Sequence, residues 1–224
     1  FCNECFLGIV SAGYASGDNS AERAYLLDHV LVSRPFTELR AREPRAASWS
    51  RRRFESPLVL GWADTKKQDA VEHILQWYQA QDIRVPPSRT HFFGDRTENI
   101  GPFSAKGFNA REISCASRDL SIHNGMVGYC GGTAAEVVDT PGVALCNSPG
   151  PSPSPAPSPT GGSCLCVFDI DRTLTGAQGV AGPGSTCPGN KVINNVWDSA
   201  YSQGWLTLSE AAQKLQQTFC NECF

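Results

Sequence analysis

The chain has 224 residues, 41% of them apolar and 18% charged, with a net charge of −3. That balance suits one globular domain with a buried core and lacks the clustered positive charge with which proteins neutralise nucleic-acid phosphates. No apolar run approaches the length a bilayer demands, and residue 1 does not open a signal peptide, so neither nucleic acid nor membrane is an expected partner and any signal would lie upstream.

The first six residues, Phe1-Cys2-Asn3-Glu4-Cys5-Phe6, return as Phe219-Cys220-Asn221-Glu222-Cys223-Phe224, a period of 218. Such recurrence marks a window cut slightly longer than one unit of a tandem array, although a cloning scar leaves the same sign. Next come an apolar strand at 7–10, an amphipathic helix at 20–32 and a strand at 58–61. A helix at 66–80 carries Val71, Ile74, Leu75 and Tyr78 on one face. Strands are predicted at 90–93, 110–115 and 126–130. Residues 165–170 form an apolar run ending in acidic residues, the pattern of a buried parallel strand. Residues 192–215, with Val196, Trp197, Trp205, Leu206, Leu208, Ala211, Ala212 and Leu215, predict two helices, the second starting near Thr207 or Ser209. Strands alternating with helices predict an α/β, doubly wound parallel sheet with helices on both faces.

Between Cys146 and Cys164 the chain reads NSPGPSPSPAPSPTGGS. Alternating proline fixes φ and removes backbone donors, so residues 147–163 are expected to form an extended polyproline II linker without a core. The Ser-Pro alternation resembles the hydroxyproline-rich, O-glycosylated spacers of algal and plant extracellular matrix proteins. That resemblance implies sugar on Ser148, Ser152, Ser154, Ser158 or Thr160, or on hydroxylated prolines such as Pro153, Pro155, Pro157 and Pro159. With the linker between units, residues 1–146 are the larger, C-terminal part of a domain. Residues 164–224 are then the N-terminal part of the domain of the next repeat. The expected arrangement is that 164–224 complete 7–146 of an adjoining copy, since a rod of about 3.1 Å per residue can carry the chain to the next bead; the alternative is that the chain closes on itself.

Ten cysteines are present, eight once the repeated pair is counted once. An oxidising, extracellular compartment with up to four disulfides accounts for them, among 105 possible pairings. Read instead as a zinc site, Cys2, Cys5, Cys220 and Cys223 are one element counted twice. His29, His73, His91 and His123 lie on different elements and read as packed or surface residues. Seven arginines between Arg34 and Arg53 read as a solvated face, with anion binding as the alternative.

Taken in repeat order, the predicted strand ends carry Asp169-Ile170-Asp171-Arg172-Thr173, then Ser11, then Lys66-Lys67 opening a helix, then Asp95. This order resembles the haloacid dehalogenase-like phosphohydrolase superfamily over most of the unit outside the linker. The resemblance implies Asp169 as nucleophile, Asp171 as general acid and base, and Thr173 as a brace of the turn. It implies Ser11 as a phosphate donor and a lysine, Lys67 in preference to Lys66, as the neutralising cation. Magnesium would be held by Asp169, the Asp171 carbonyl and Asp95, with Glu98 or Asn99 in place of a further acid. Arg172 stands where a small residue is common and is expected to crowd the cleft or touch the substrate anion. The roughly sixty residues between the first two motifs have room for a small cap or an α-helical insert, not a large substrate domain.

Two functions are therefore expected. One is a structural repeat of a secreted, glycosylated fibre or sheath, whose partners are neighbouring copies and O-linked glycans. The other is a magnesium-dependent phosphomonoester hydrolase. A fold does not by itself carry its ancestral function.

Overall fold

The computed structural model describes residues 5–31, 48–147 and 163–215. The Ser/Pro stretch and its glycosylation candidates, most of both hexapeptide copies, and Arg34, Arg40, Arg42 and Arg45 lie outside the described residues.

Nine strands are described: β1 Cys5–Val10, β2 Ser50–Arg51, β3 Leu58–Leu60, β4 Thr90–Gly94, β5 Asn109–Glu112, β6 Val143–Ala144, β7 Cys164–Phe168, β8 Lys191–Asp198 and β9 Gly204–Leu208. The first seven form one sheet in the order β2-β3-β1-β7-β4-β5-β6, and every neighbouring pair is parallel. The expected α/β class is therefore present. β7 comes last in the sheet by sequence yet lies at its centre, between β1 and β4 of the same chain. Closure within one chain is the arrangement observed.

Alternation along β7 explains why it takes the central slot. Cys164, Cys166 and Phe168 join one apolar cluster, while Leu165 and Val167 join the other, and all five are almost wholly buried. A strand buried on both faces reads as a continuous apolar run. The second face is covered by the Lys67–Gln79 helix, whose buried residues Lys67, Ala70, Val71, Ile74 and Tyr78 recur at helical spacing. Tyr78 donates its hydroxyl to the Leu7 carbonyl at 2.5 Å. The first face is covered by the Ala21–Tyr25 helix, the turn Leu26–Val30 and the segment that follows β7.

Two expected elements differ. Residues 192–215 are not two helices: β8 and β9 form an antiparallel hairpin, and only Glu210–Gln213 is helical, with Ser209 capping Ala212 N at 3.2 Å. Trp197 and Trp205 are cross-strand partners with ring centroids 5.8 Å apart, a pairing that stabilises strands. The β-branched Val192, Ile193 and Val196 favour the same conformation. The reversal is made by residues 199–203, where Tyr201 and Gln203 take left-handed φ values. The second difference is at 126–130, which makes only a single bridge, Arg118 to Gly128, while β6 takes the edge beside β5. The short strand β2 was also not expected.

Two disulfides lie among the described residues, Cys115–Cys146 and Cys130–Cys187. They suit an oxidising compartment, and no described helix is long and apolar enough to cross a membrane. The second closes a separation of 57 residues and ties the segment after β5 to the approach to β8. Replacing Cys130 and Cys187 by serine is expected to cost about 4 kcal/mol from loop closure. Urea unfolding checks this; a loss below about 1 kcal/mol would show the loop to be held by other contacts.

Candidate active site

Each parallel strand ends at the same edge of the sheet, so residues following β7, β1 and β4 are neighbours there whatever their separation in sequence. Asp169 follows β7, and its amide donates to the Phe93 carbonyl at 2.9 Å, which places it beside the end of β4. Its Oδ1 accepts from the Ile170 amide at 2.8 Å, and its Oδ2 accepts from Lys67 Nζ. Lys67 is 1% exposed and also reaches Asp64 Oδ1 at 3.5 Å, whereas Lys66 is exposed. The buried face of the helix extends to its first residue, which aims the ammonium at the strand ends.

Asp95, beyond β4, is 2% exposed, and its Oδ2 accepts from the Gly128 amide at 2.8 Å. Thr173 Oγ1 accepts from the Asp95 amide at 3.0 Å, so this wholly buried hydroxyl ties the turn after β7 to the end of β4. Ser11, beyond β1, is 1% exposed and donates to Asp171 Oδ2 at 3.5 Å while accepting from the Gly13 amide at 3.1 Å. Asp64, Lys67, Asp95, Arg96, Asp169, Asp171, Gly13 and Tyr201 line one open cleft of about 250 Å³. Ser11 and Thr173 stand just behind its wall. The six residues Asp169, Asp171, Thr173, Ser11, Lys67 and Asp95 thus converge at one place.

Their electrostatics follow from crowding. Burial, and then the charge of Asp169, push the Asp95 carboxyl up to about 7. Asp171 lies well above the ordinary carboxylate range, through burial first and then Asp169, Glu22 and Asp198. A carboxyl kept protonated near neutrality can donate a proton. Lys67 is held above its ordinary value: burial opposes its charge, but Asp169 and Asp64 outweigh it. Perturbed groups of both signs in a cleft are what a reactive centre requires.

No family model, curated protein or solved structure matches the chain.

Several residues at this site carry no linear signal. Gly13 has no room for a side chain, because a Cβ there would stand 2.4 Å from Asp171 Oδ2. Gly128 is confined in the same way, 2.7 Å from the Ser114 Cβ. Asn99, considered above as a replacement acid, instead fixes the approach to Lys67: its Oδ1 accepts from the Thr65 amide at 2.7 Å and its Nδ2 donates to Asp64 at 2.9 Å. Glu98 is paired with Arg96 at 2.9 Å.

Arg172 departs from its expected place at the cleft. Its φ of 60° turns the backbone left-handed, an unusual conformation for a long side chain. The guanidinium is buried between the rings of Tyr129 and Tyr201, with centroids 5.1 and 4.8 Å away, and donates to the Tyr129 carbonyl. It lines a neighbouring cavity, not the cleft. The segment between the first two motifs supplies a β-hairpin in place of an α-helical insert, and Ala200 and Tyr201 of that hairpin form one wall of the cleft. The histidines do not converge: His91 pairs with Asp139 at 3.0 Å, His73 stacks on Phe54, and His29 meets the Tyr25 ring at a tilt of 38°.

Glu22, behind Asp171, is wholly buried and pushed up to about 7 by burial and then by Asp198. A carboxyl whose folded value is raised binds protons in the native state that the unfolded chain releases, so its contribution to stability is lost as pH rises from about 4.5 through 7. The metal-free protein is therefore expected to be less stable at pH 8 than at pH 5, by about 2.5 kcal/mol for Glu22 alone. Urea midpoints in chelator at the two pH values measure the difference. Glu22→Gln should reduce it, and equal or rising stability across that window would contradict this account.

Proposed function

We propose that the chain is a phosphomonoester hydrolase of the haloacid dehalogenase-like type that works through an aspartyl-phosphate. The observation that carries this reading is the contact of the buried Lys67 ammonium with Asp169 at the end of the central strand, with Asp95 and Asp171 in the same cleft.

The Asp169 carboxylate attacks phosphorus as the bond to the leaving oxygen breaks, and protonated Asp171 gives its proton to that oxygen. Asp171, now ionised, takes a proton from the water that attacks the aspartyl-phosphate. Phosphate leaves, and Asp169 is restored. Lys67 opposes the charge that the phosphate brings to Asp169. Ser11 Oγ, 3.5 Å from Asp171 and just behind the cleft wall, would donate to a phosphate oxygen. Asp95, Asp169 and Asp64 face one ammonium, a negative excess that fits a hard dication with oxygen ligands. Magnesium held by Asp169, Asp95 and the Asp171 carbonyl would supply charge neutralisation and orientation of the phosphate.

Hydrolysis of a generic aryl phosphate in magnesium tests the proposal. Inactivity across several phosphomonoesters, with and without magnesium, would leave a scaffold with relic motifs.

A second reading is favoured by the repeated hexapeptide and the Ser/Pro stretch: the domain is one unit of a secreted, glycosylated fibre or sheath, joined to its neighbours through 147–163. The peptide TFCNECFLGIVSAG in native material would establish the repeat, and a native C terminus at Phe224 would refute it. An unmodified linker in mass spectra would refute the glycosylated form. Catalysis and assembly are compatible.

A further inference from the structure

We propose that Glu22, Asp171 and Asp198 hold a divalent cation of the calcium type, at a place separate from the Asp169 and Asp95 carboxylates. The three side chains come from three elements: Glu22 from the Ala21–Tyr25 helix, Asp171 from the turn after β7, and Asp198 from the end of β8. One carboxylate oxygen of each lies within 4.8 Å of those of the other two. Oxygens on opposite sides of a calcium ion, each about 2.4 Å from it, are about 4.8 Å apart, so the trio lies within reach of one ion.

A second observation separates this trio from an ordinary acidic patch. Glu22 and Asp198 are wholly buried. The Glu22 carboxylate faces the other two; its Oε2 accepts from Ser16 Oγ at 2.5 Å, while its Oε1 is buried without a hydrogen-bond partner. Asp171 Oδ1 is likewise buried without a partner. A buried carboxylate oxygen left unmatched is costly, and three facing carboxylates repel one another unless protons or a cation intervene. The nearby cations are engaged elsewhere: Arg23 with Asp18 at 2.5 Å, Lys67 with Asp169 and Asp64, and Arg172 with Asp119 at 3.5 Å.

Magnesium retains several waters and demands tight octahedral geometry, whereas calcium accepts irregular cages of protein oxygens. The enclosure of Glu22 and Asp198 therefore favours calcium. Bound there, the ion would fasten the β8–β9 hairpin, which supplies Ala200 and Tyr201 to the cleft, to the Asp171 turn and the Ala21–Tyr25 helix, and while it holds the Asp171 carboxylate that group carries no proton to donate, so the calcium-bound chain is a resting form of the hydrolase proposed above.

The test is calorimetric titration of the metal-stripped full chain with calcium chloride, in the unaltered protein, in Asp95→Asn and in Glu22→Gln combined with Asp198→Asn. The expected result is a binding event that persists in Asp95→Asn and disappears in the double variant. Calcium should also raise the thermal midpoint of the first two proteins and leave that of the third unchanged. The proposal is overturned if the unaltered protein neither binds calcium nor gains stability from it. It is equally overturned if the event vanishes in Asp95→Asn or survives in the double variant. Glutamine and asparagine preserve shape and remove buried charge, so a cooperative transition is expected. If the double variant does not fold, the calcium response of Asp95→Asn decides the matter.

Discussion

Asp169→Asn is expected to lower turnover of an aryl phosphate by at least about 10⁴-fold, because the amide cannot form the covalent intermediate that splits the reaction into two accessible steps. The fold should survive. An asparagine at this position retains the shape of the side chain, Lys67 keeps Asp64 at 3.5 Å, and Asp95, raised first by burial, loses the further push from the Asp169 charge. Magnesium-supported hydrolysis and a melting curve, measured on the same preparation, separate loss of chemistry from loss of structure. A companion measurement with Asp171→Asn should show a larger defect on alkyl than on aryl phosphates, since only the poorer leaving group depends strongly on a donated proton. Retention of the rate in Asp169→Asn would remove the nucleophile and, with it, the proposed reaction.

Lys67→Met should combine the largest loss of stability at the site with loss of activity. Methionine fills a similar volume but leaves Asp169 and Asp64 without their ammonium, and deprives Asp95 of a compensating charge. Removing one partner of a buried ion pair typically costs about 3–5 kcal/mol, because the other charge remains buried and unpaired. The deficit should shrink as pH falls from 8 towards 5, through the raised value of about 7 for Asp95, because a protonated Asp95 no longer depends on the Lys67 charge. Urea unfolding at pH 8 and pH 5 measures both quantities. A loss below about 1 kcal/mol at pH 8 would mean that solvent or another cation already screens the carboxylates.

Much of the sheet was legible because a strand buried on both faces writes an apolar run, and because β7, β1, β3 and β4 each satisfy that pattern locally. The Lys67–Gln79 helix was legible for the complementary reason: its apolar positions recur at 3.6 residues. The segment 192–215 predicts helices yet forms a hairpin, since its tryptophans and leucines fit a helical face about as well as an alternating strand. Only the cross-strand meeting of Trp197 with Trp205 selects the hairpin.

By itself the sequence determined an α/β chain with Asp169, Asp171, Ser11, Lys67 and Asp95 at strand and helix ends, because alternation, helical periodicity and the residues that interrupt them are local properties. The tertiary structure alone decided that β7 enters between β1 and β4, and so brings Lys67 to Asp169 across 102 positions of sequence. It also decided that Gly13 and Gly128 leave room for carboxylates, that Asn99 steadies Asp64, and that Glu22 and Asp198 stand behind Asp171. Such contacts depend on which strands become neighbours, a long-range choice set by burial of both sheet faces, and no short window of sequence contains it.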